Sequence, residues 1–269
     1  MDRRRACYAE VGLAKDSPRH CLTPVSKDSR VRWSLWLLSI VIPTLNEEAG
    51  LQRLLPNLQR DGAGEIIVVD GGSEDATVEI AESFDVRILK SSPGRGIQQA
   101  VGARAAAGDS ILFLHADTSM PLGFEGEIAR ILKQPGVVAG AFRLKIDAPQ
   151  PSVRFIESMA NLRSRCLRSP YGDQGIFVRK NVLESIGGVP EIPLLEDVRM
   201  IRSLRRLGQI VISPLSATTS GRCWTGHGTL RTTAANMSTC AGYILGVDPV
   251  RLAAWRRRIL PPVSMGPSS

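Results

Sequence analysis

Residues 110–120 read S-I-L-F-L-H-A-D-T-S-M, an apolar strand that runs into a short polar exit ending at Asp117. A strand that stops at an aspartate is how an open α/β sheet presents a carboxylate to a ligand in the crevice beyond its strand ends. Two further exits have the same build. Residues 65–75, E-I-I-V-V-D-G-G-S-E-D, end a buried strand at Asp70, and residues 38–47, L-S-I-V-I-P-T-L-N-E, end another in a polar turn with Thr44, Asn46 and Glu47. Gly71 and Gly72 let backbone approach a ligand after Asp70, and Ser73 is placed to cap the next helix. A separate acidic pair, Glu196-Asp197, opens the helical run V-R-M-I-R-S-L-R-R-L-G. Acids in a first turn complement the helix dipole, and a loop-borne carboxylate also serves as a base.

The elements that must position these residues alternate from residue 35 onward, the pattern of a sheet wound with crossover helices. Leu51, Leu54, Leu55 and Leu58 repeat at helical spacing, and Pro56 among them is expected to kink or shorten that helix. Strand 65–70 with helix 74–84, strand 86–90 with helix 97–107, and strand 111–115 with helix 123–133 follow. From about 137 the rhythm changes to a long strand 137–147, a helix 152–167, the loop S-P-Y-G-D-Q-G, a strand 176–179, a helix from about 194 and a strand 209–213. The segment S-G-R-C-W-T-G-H-G then reads as a glycine-punctuated loop able to close over a bound ligand. Its Trp224 either stacks on that ligand or packs, and His227 is an isolated histidine that is not assigned to a metal.

Composition narrows the classes. With 269 residues and 43% apolar content, one α/β domain with a full core fits. The net charge of +8 is not a nucleic-acid footprint, because residues 1–34 carry +4, residues 249–269 carry +4 without an acid, and the body between is neutral. Residues 1–34 are expected to be a disordered basic leader ahead of a domain at 35–269. Five scattered cysteines without a C-x-x-C pair indicate neither a disulfide framework nor a zinc site, which suits a reducing cytoplasm. Glu10, Lys15 and Asp16 interrupt any secretory apolar core, and the mild apolar stretch 234–247 is too short to span a membrane. In D-P-V-R-L-A-A-W-R-R-R-I-L, residues Val250, Leu252, Ala253, Trp255 and Ile259 form an apolar face that either packs on the domain or lies on a membrane.

Six motifs in order, V-I-P-T-L-N-E-E (41–48), V-V-D-G-G-S-E-D-A-T (68–77), G-R-G-I-Q-Q-A-V-G-A-R-A-A-A-G-D (94–109), L-H-A-D-T (114–118), P-Y-G-D-Q-G-I-F-V-R (170–179) and L-L-E-D-V-R-M (194–200), resemble family 2 glycosyltransferases. Within that family the chain is similar to the radical-SAM/selenodomain-associated transferase 2 group, over roughly residues 37 to 258. The resemblance implies a GT-A fold, a single Rossmann-like α/β domain with a mostly parallel central sheet flanked by helices. It also implies inverting transfer of a sugar from a nucleoside-diphosphate donor with Mg²⁺ or Mn²⁺.

By the same resemblance, Asp197 is the catalytic base with Glu196 as helper, and Asp117 holds the metal. Family members often carry Asp-x-Asp where this chain has His115-Ala116-Asp117, which leaves fewer protein ligands for the metal and turns His115 toward the nucleotide. Asp70 accepts from the nucleotide base, although Gly71 stands where many members have a second Asp. Thr44, Glu47 and Arg95 line the donor pocket, Arg222 neutralises the diphosphate, and Asp173, Gln174 and Trp224 meet sugar or acceptor. The acceptor is unassigned, with a lipid-linked one at the inner membrane face among the options. Two other readings stand beside this one. A nucleotidyltransferase would need a glycine-rich basic loop where P-T-L-N-E-E is acidic, and a non-catalytic nucleotide-sugar sensor is motivated by Gly71 and His115.

Overall fold

A computed structural model describes residues 37–60 and 64–261. The leader expected at 1–34 lies outside the described residues.

The first half is a run of β/α units: β1 (Leu38–Thr44), α1 (Glu48–Arg60), β2 (Glu65–Asp70), α2 (Thr77–Glu82), β3 (Arg87–Lys90), α3 (Arg95–Ala105) and β4 (Ser110–Phe113). A two-residue strand β5 (Thr118–Ser119) and α4 (Phe124–Leu132) lead into the long β6 (Val137–Asp147) and α5 (Pro151–Leu167). After a 3₁₀ turn at Gly172–Gln174 come β7 (Ile176–Arg179), α6 (Lys180–Ser185), α7 (Glu196–Leu204), β8 (Gln209–Ser220), α8 (Arg222–His227), α9 (Thr229–Ile244) and α10 (Pro249–Ile259). One eight-stranded sheet has the order β3-β2-β1-β4-β7-β6-β8-β5. The pairs β1–β2, β2–β3, β1–β4 and β6–β8 are parallel, whereas β7 runs antiparallel to both β4 and β6, and β5 to β8.

Strand apolarity is nearly continuous because both faces are covered, as a parallel sheet requires. Leu38, Ile40 and Ile42 of β1 face a core completed by Leu51, Leu55 and Leu58 of α1 and Phe124 and Ile128 of α4. Val41 faces the opposite core, with Ile67, Val69, Ala100 and Ala103, and Met200 and Leu204 of α7. Helix α3 reaches that second layer only because it carries Gly102, where a Cβ would lie 2.4 Å from Val41 Cγ1.

Three expectations are corrected. α1 runs through Pro56 without shortening. The carbonyl that Pro56 leaves without a donor belongs to the exposed Gln52, which water can serve, while buried Leu54, Leu55 and Leu58 hold the helix to the sheet. The segment read as a glycine-punctuated loop is instead α8, and β8 extends to Ser220 rather than stopping at 213. The extension is held by pairing along β6 as far as Asp147–Ser220. Among the described residues no helix is long and apolar enough to cross a membrane.

Candidate functional site

β1 has β2 on one side and β4 on the other, so chain connections leave in opposite directions between β1 and β4. That switch point opens a crevice at the carboxyl ends of the strands. The three strand exits meet there as predicted. Thr44 Oγ1 donates to Val69 O at 3.3 Å, and the Gln98 side chain of α3 donates to both Thr44 O (2.6 Å) and Val69 O (2.8 Å), clamping the ends of β1 and β2. Asn46, at φ 53°, takes the amide of Glu74 on its side-chain oxygen and donates its own amide to Ser73 Oγ, lacing the first exit to the second.

A cavity of about 430 Å³ sits in this crevice, walled by Thr44, Glu47, Arg95, Gln98, His115, Asp117, Glu196, Arg222 and Arg256 among others. Arg222, at the start of α8, forms a bidentate pair with Glu47 and also reaches Asp117 Oδ2 at 3.1 Å. One guanidinium therefore bridges two carboxylates, leaving the trio with net negative charge. Burial raises the Glu47 carboxyl above its ordinary range, and Arg222 opposes that shift. Arg95, Arg256 and Arg257 add positive charge elsewhere on the wall.

Glu196, also on the cavity wall, is 2% exposed and lies 3.8 Å from Arg95 Nε. Its carboxyl is pushed up to about 6, by burial first, with Arg95 opposing and Asp197 adding to the rise. The turn that delivers this pair is strained. Leu195, the residue before α7, is held at φ 64°, ψ 26°, a left-handed conformation that costs a leucine roughly 1–2 kcal/mol. Residues 190–192 close on Gly96, where a Cβ would meet Pro190 O at 2.5 Å and Ile192 O at 2.7 Å. Asp197 accepts the Gly172 amide on Oδ2 at 2.6 Å and the Val198 amide on Oδ1 at 2.7 Å. A Cβ on Gly172 would stand 3.0 Å from His115 Nε2 and 3.3 Å from Asp197 Oδ2, so this glycine keeps the imidazole and the carboxylate close.

Two buried polar atoms in this neighbourhood have no partner, His115 Nε2 and Asp173 Oδ1. Burial, and next Arg95, depress His115 to about 3, so the imidazole is neutral at pH 7. Burial, and next Asp197, raise Asp173 to about 6.

Other predicted residues sit apart from the cavity wall. Asp70 spends its carboxylate on its own turn, accepting from Gly72 N (2.9 Å) and from the Ser73 amide and hydroxyl. Gln174, expected to meet a sugar, is instead fully buried, with its amide committed to Ser164 Oγ, Tyr171 N and Phe142 O. Trp224 is half-buried and packs against Leu144, Ile146 and Val153. His227 Nε2 is 2.9 Å from Pro261 O. The sequence reading missed Gln98, and it missed Arg256 and Arg257, which it gave to a surface face. Gln98 lies inside the motif at 94–109 but nothing in its spacing shows that its amide reaches the ends of β1 and β2, and only the packing of α10 brings its arginines round to the cavity.

Among the described residues no group of three His, Cys, Asp or Glu side chains is placed to hold a metal ion. What fits is a single-carboxylate site, because Asp117 lines the cavity and the Glu47–Arg222–Asp117 trio has unspent negative charge. Mg²⁺ held through one or two carboxylates plus substrate phosphates is common for such ions.

The glycosyl transferase family 2 model matches residues 39–184. An uncharacterized glycosyltransferase of Haemophilus influenzae is 28% identical over 174 residues, 60% of this chain and 54% of that protein. A PGL/p-HBAD biosynthesis glycosyltransferase of Mycobacterium tuberculosis is 38% identical over 93 residues, 31% of this chain and 36% of that one. The chain thus spans about half the length of the first relative and about a third of the second. Among solved structures, S. aureus TarS 1–349 in complex with UDP superposes with a TM-score of 0.55 at 20% identity, covering 83% of this chain and 69% of that one. Glucosyl-3-phosphoglycerate synthase from M. tuberculosis, in complex with Mn²⁺, UDP and glucosyl-3-phosphoglycerate, gives 0.52 at 19%, covering 70% and 71%. These likenesses show the fold, a single α/β domain of the glycosyltransferase GT-A type. With a family model matched across more than half of its residues, the chain belongs to glycosyl transferase family 2.

Proposed function

We propose that the chain transfers a sugar, with inversion, from a nucleoside-diphosphate donor to an acceptor hydroxyl. The observation that supports this most is the cavity itself, with Arg222 bridging the strand-end acids and with Glu196 of the turn into α7 among its lining residues. A diphosphate fits the arginine-rich wall, where Arg95, Arg222, Arg256 and Arg257 offer charge-assisted hydrogen bonds to its oxygens. UDP is the first nucleotide to test, because the TarS and glucosyl-3-phosphoglycerate synthase structures contain it.

Asp197 is the base in this reading. Each of its oxygens accepts one backbone amide and keeps lone pairs for an acceptor hydroxyl. As the acceptor oxygen bonds to the anomeric carbon, its proton passes to Asp197 and the bond to the diphosphate oxygen breaks on the opposite face. Arg222 and Arg95 stabilise the negative charge that develops on the departing diphosphate, in a site where fixed charges need no reorganisation. A divalent cation held by Asp117 would supply further charge neutralisation. Neutral His115 beside Gly172 keeps cationic charge away from the base.

The three described free cysteines fit the proposal of a reducing, cytoplasmic setting. A panel of nucleoside-diphosphate sugars, followed by nucleoside-diphosphate release with and without Mn²⁺, tests the reading. Release of the nucleoside diphosphate is expected. Tight binding without release would favour a nucleotide-sugar sensor, and pyrophosphate release a nucleotidyltransferase.

A further inference from the structure

Helix α9 is amphipathic the wrong way round for a helix whose outer face meets water. Its buried residues are Thr232, Ala235 and Thr239, whereas Leu230, Met237 and Ile244 are 87%, 68% and 82% exposed. Ala234 and Ala241, also exposed, fill the intervals of this stripe. With 3.6 residues per turn the two sets fall on opposite sides of the helix. The inner side is fixed by α10, which crosses back over it. Leu252 is so close to Gly242 that a Cβ there would be 2.8 Å from Leu252 Cδ2, and Arg256 donates to Asn236 Oδ1 at 3.1 Å. Leu245, Val247 and Val250 at the turn between the helices, and Trp255 further along α10, are exposed as well.

Charge identifies the occupant. Arg231 of α9 and Arg251 and Arg258 of α10 are exposed. The sole acid between Arg222 and Pro261 is Asp248, whose carboxylate accepts the Val250 and Arg251 amides as a helix cap. A second copy docking by two-fold symmetry would set this basic segment against itself. Exposed apolar side chains on a segment whose exposed charges are mainly arginines fit the interface of an anionic bilayer, where apolar groups sink to the acyl boundary and cations meet phosphates. We propose that the outer face of α9, with the turn into α10, docks the protein onto an anionic membrane surface. α10 also supplies Ala253, Arg256 and Arg257 to the cavity wall. Membrane binding and sugar transfer are separate properties, and the test reads only the first.

Full-length protein is sedimented with vesicles of phosphatidylcholine containing about 30 mol% phosphatidylglycerol, and with phosphatidylcholine alone, at low and high salt. Salt-sensitive sedimentation with the anionic vesicles alone is expected. Met237→Gln with Ile244→Gln should weaken it at least about tenfold, since two large apolar contacts are lost. Arg251→Ala with Arg258→Ala should weaken it about 30-fold. All four residues are solvent-exposed, so unchanged melting temperatures would show intact folds. Three results would overturn the proposal: no sedimentation with anionic vesicles at low salt, variants that sediment like the parent, or a wild-type dimer in solution that the Met237/Ile244 variant breaks.

Discussion

Gly172 donates its amide to Asp197, while the next residue, Asp173, keeps a carboxyl oxygen buried without a partner. The two neighbouring carboxyls are thereby given different surroundings: Asp197 accepts two backbone amides, and burial, with Asp197 next, raises Asp173 to about 6. For Asp173 the folded value lies above the ordinary 3.8, so its contribution to stability is full below about pH 3.8 and is lost as pH rises through about 6. Asp173→Asn should therefore melt near the parent temperature at about pH 4 and above it at about pH 8, by thermal melts across that range. Some decline will persist in the variant, because Glu196 is raised into the same window. Asp197→Asn should lower turnover by roughly 10²–10⁴ and change donor affinity by no more than about twofold, since a base acts on the acceptor and not on the nucleotide. Near-parent turnover in that variant would remove Asp197 from the role.

At the scale of elements, two glycines on α3 separate packing from positioning. A Cβ at Gly102 would press on Val41 Cγ1 at 2.4 Å and Val69 Cγ2 at 3.1 Å, inside the core and behind the site. A Cβ at Gly96 would instead strike the carbonyls of Pro190 and Ile192, pushing away the turn that carries strained Leu195 and the Glu196–Asp197 pair. Gly102→Ala should thus cost about 1–3 kcal/mol of stability by overpacking with KM for the donor nearly unchanged. Gly96→Ala should lower turnover more than it lowers the melting temperature. Steady-state kinetics beside chemical denaturation of both variants separate these effects, and equal loss of turnover in the two would contradict them. Strands β1, β2 and β4 were legible in the sequence because each is a short apolar run with a polar exit. α8 was not, since Gly221, Gly226 and Gly228 read as loop, and only the seating of Trp224 against Ile146 and Val153 and of Arg222 on Glu47 makes that stretch a helical turn.

Across the whole molecule the cavity is a joint product of distant segments. Arg222 bonds to Glu47 from the far side of the sequence, and α10 brings Arg256 and Arg257 to a wall shared by strand exits, α3 and the turn into α7. Sequence spacing showed which residues share a strand end but could not show this closure, because no local pattern ties residue 256 to residue 47. The basic excess in residues 249–269 is accordingly divided by geometry: Arg256 is half-buried and bonded to Asn236, while Arg251 and Arg258 point to solvent. If Arg256 meets the diphosphate, its loss removes a hydrogen bond to a charged group, an effect of about 1.5–3 kcal/mol or roughly 10- to 100-fold in affinity. Arg256→Gln should then weaken UDP binding by that factor in calorimetry, while Arg258→Gln on the outer side of the same helix leaves it unchanged. The contrast distinguishes a local contact from a general effect of net charge, because both variants lower the charge equally, and an equal loss in the two would assign the effect to long-range attraction instead.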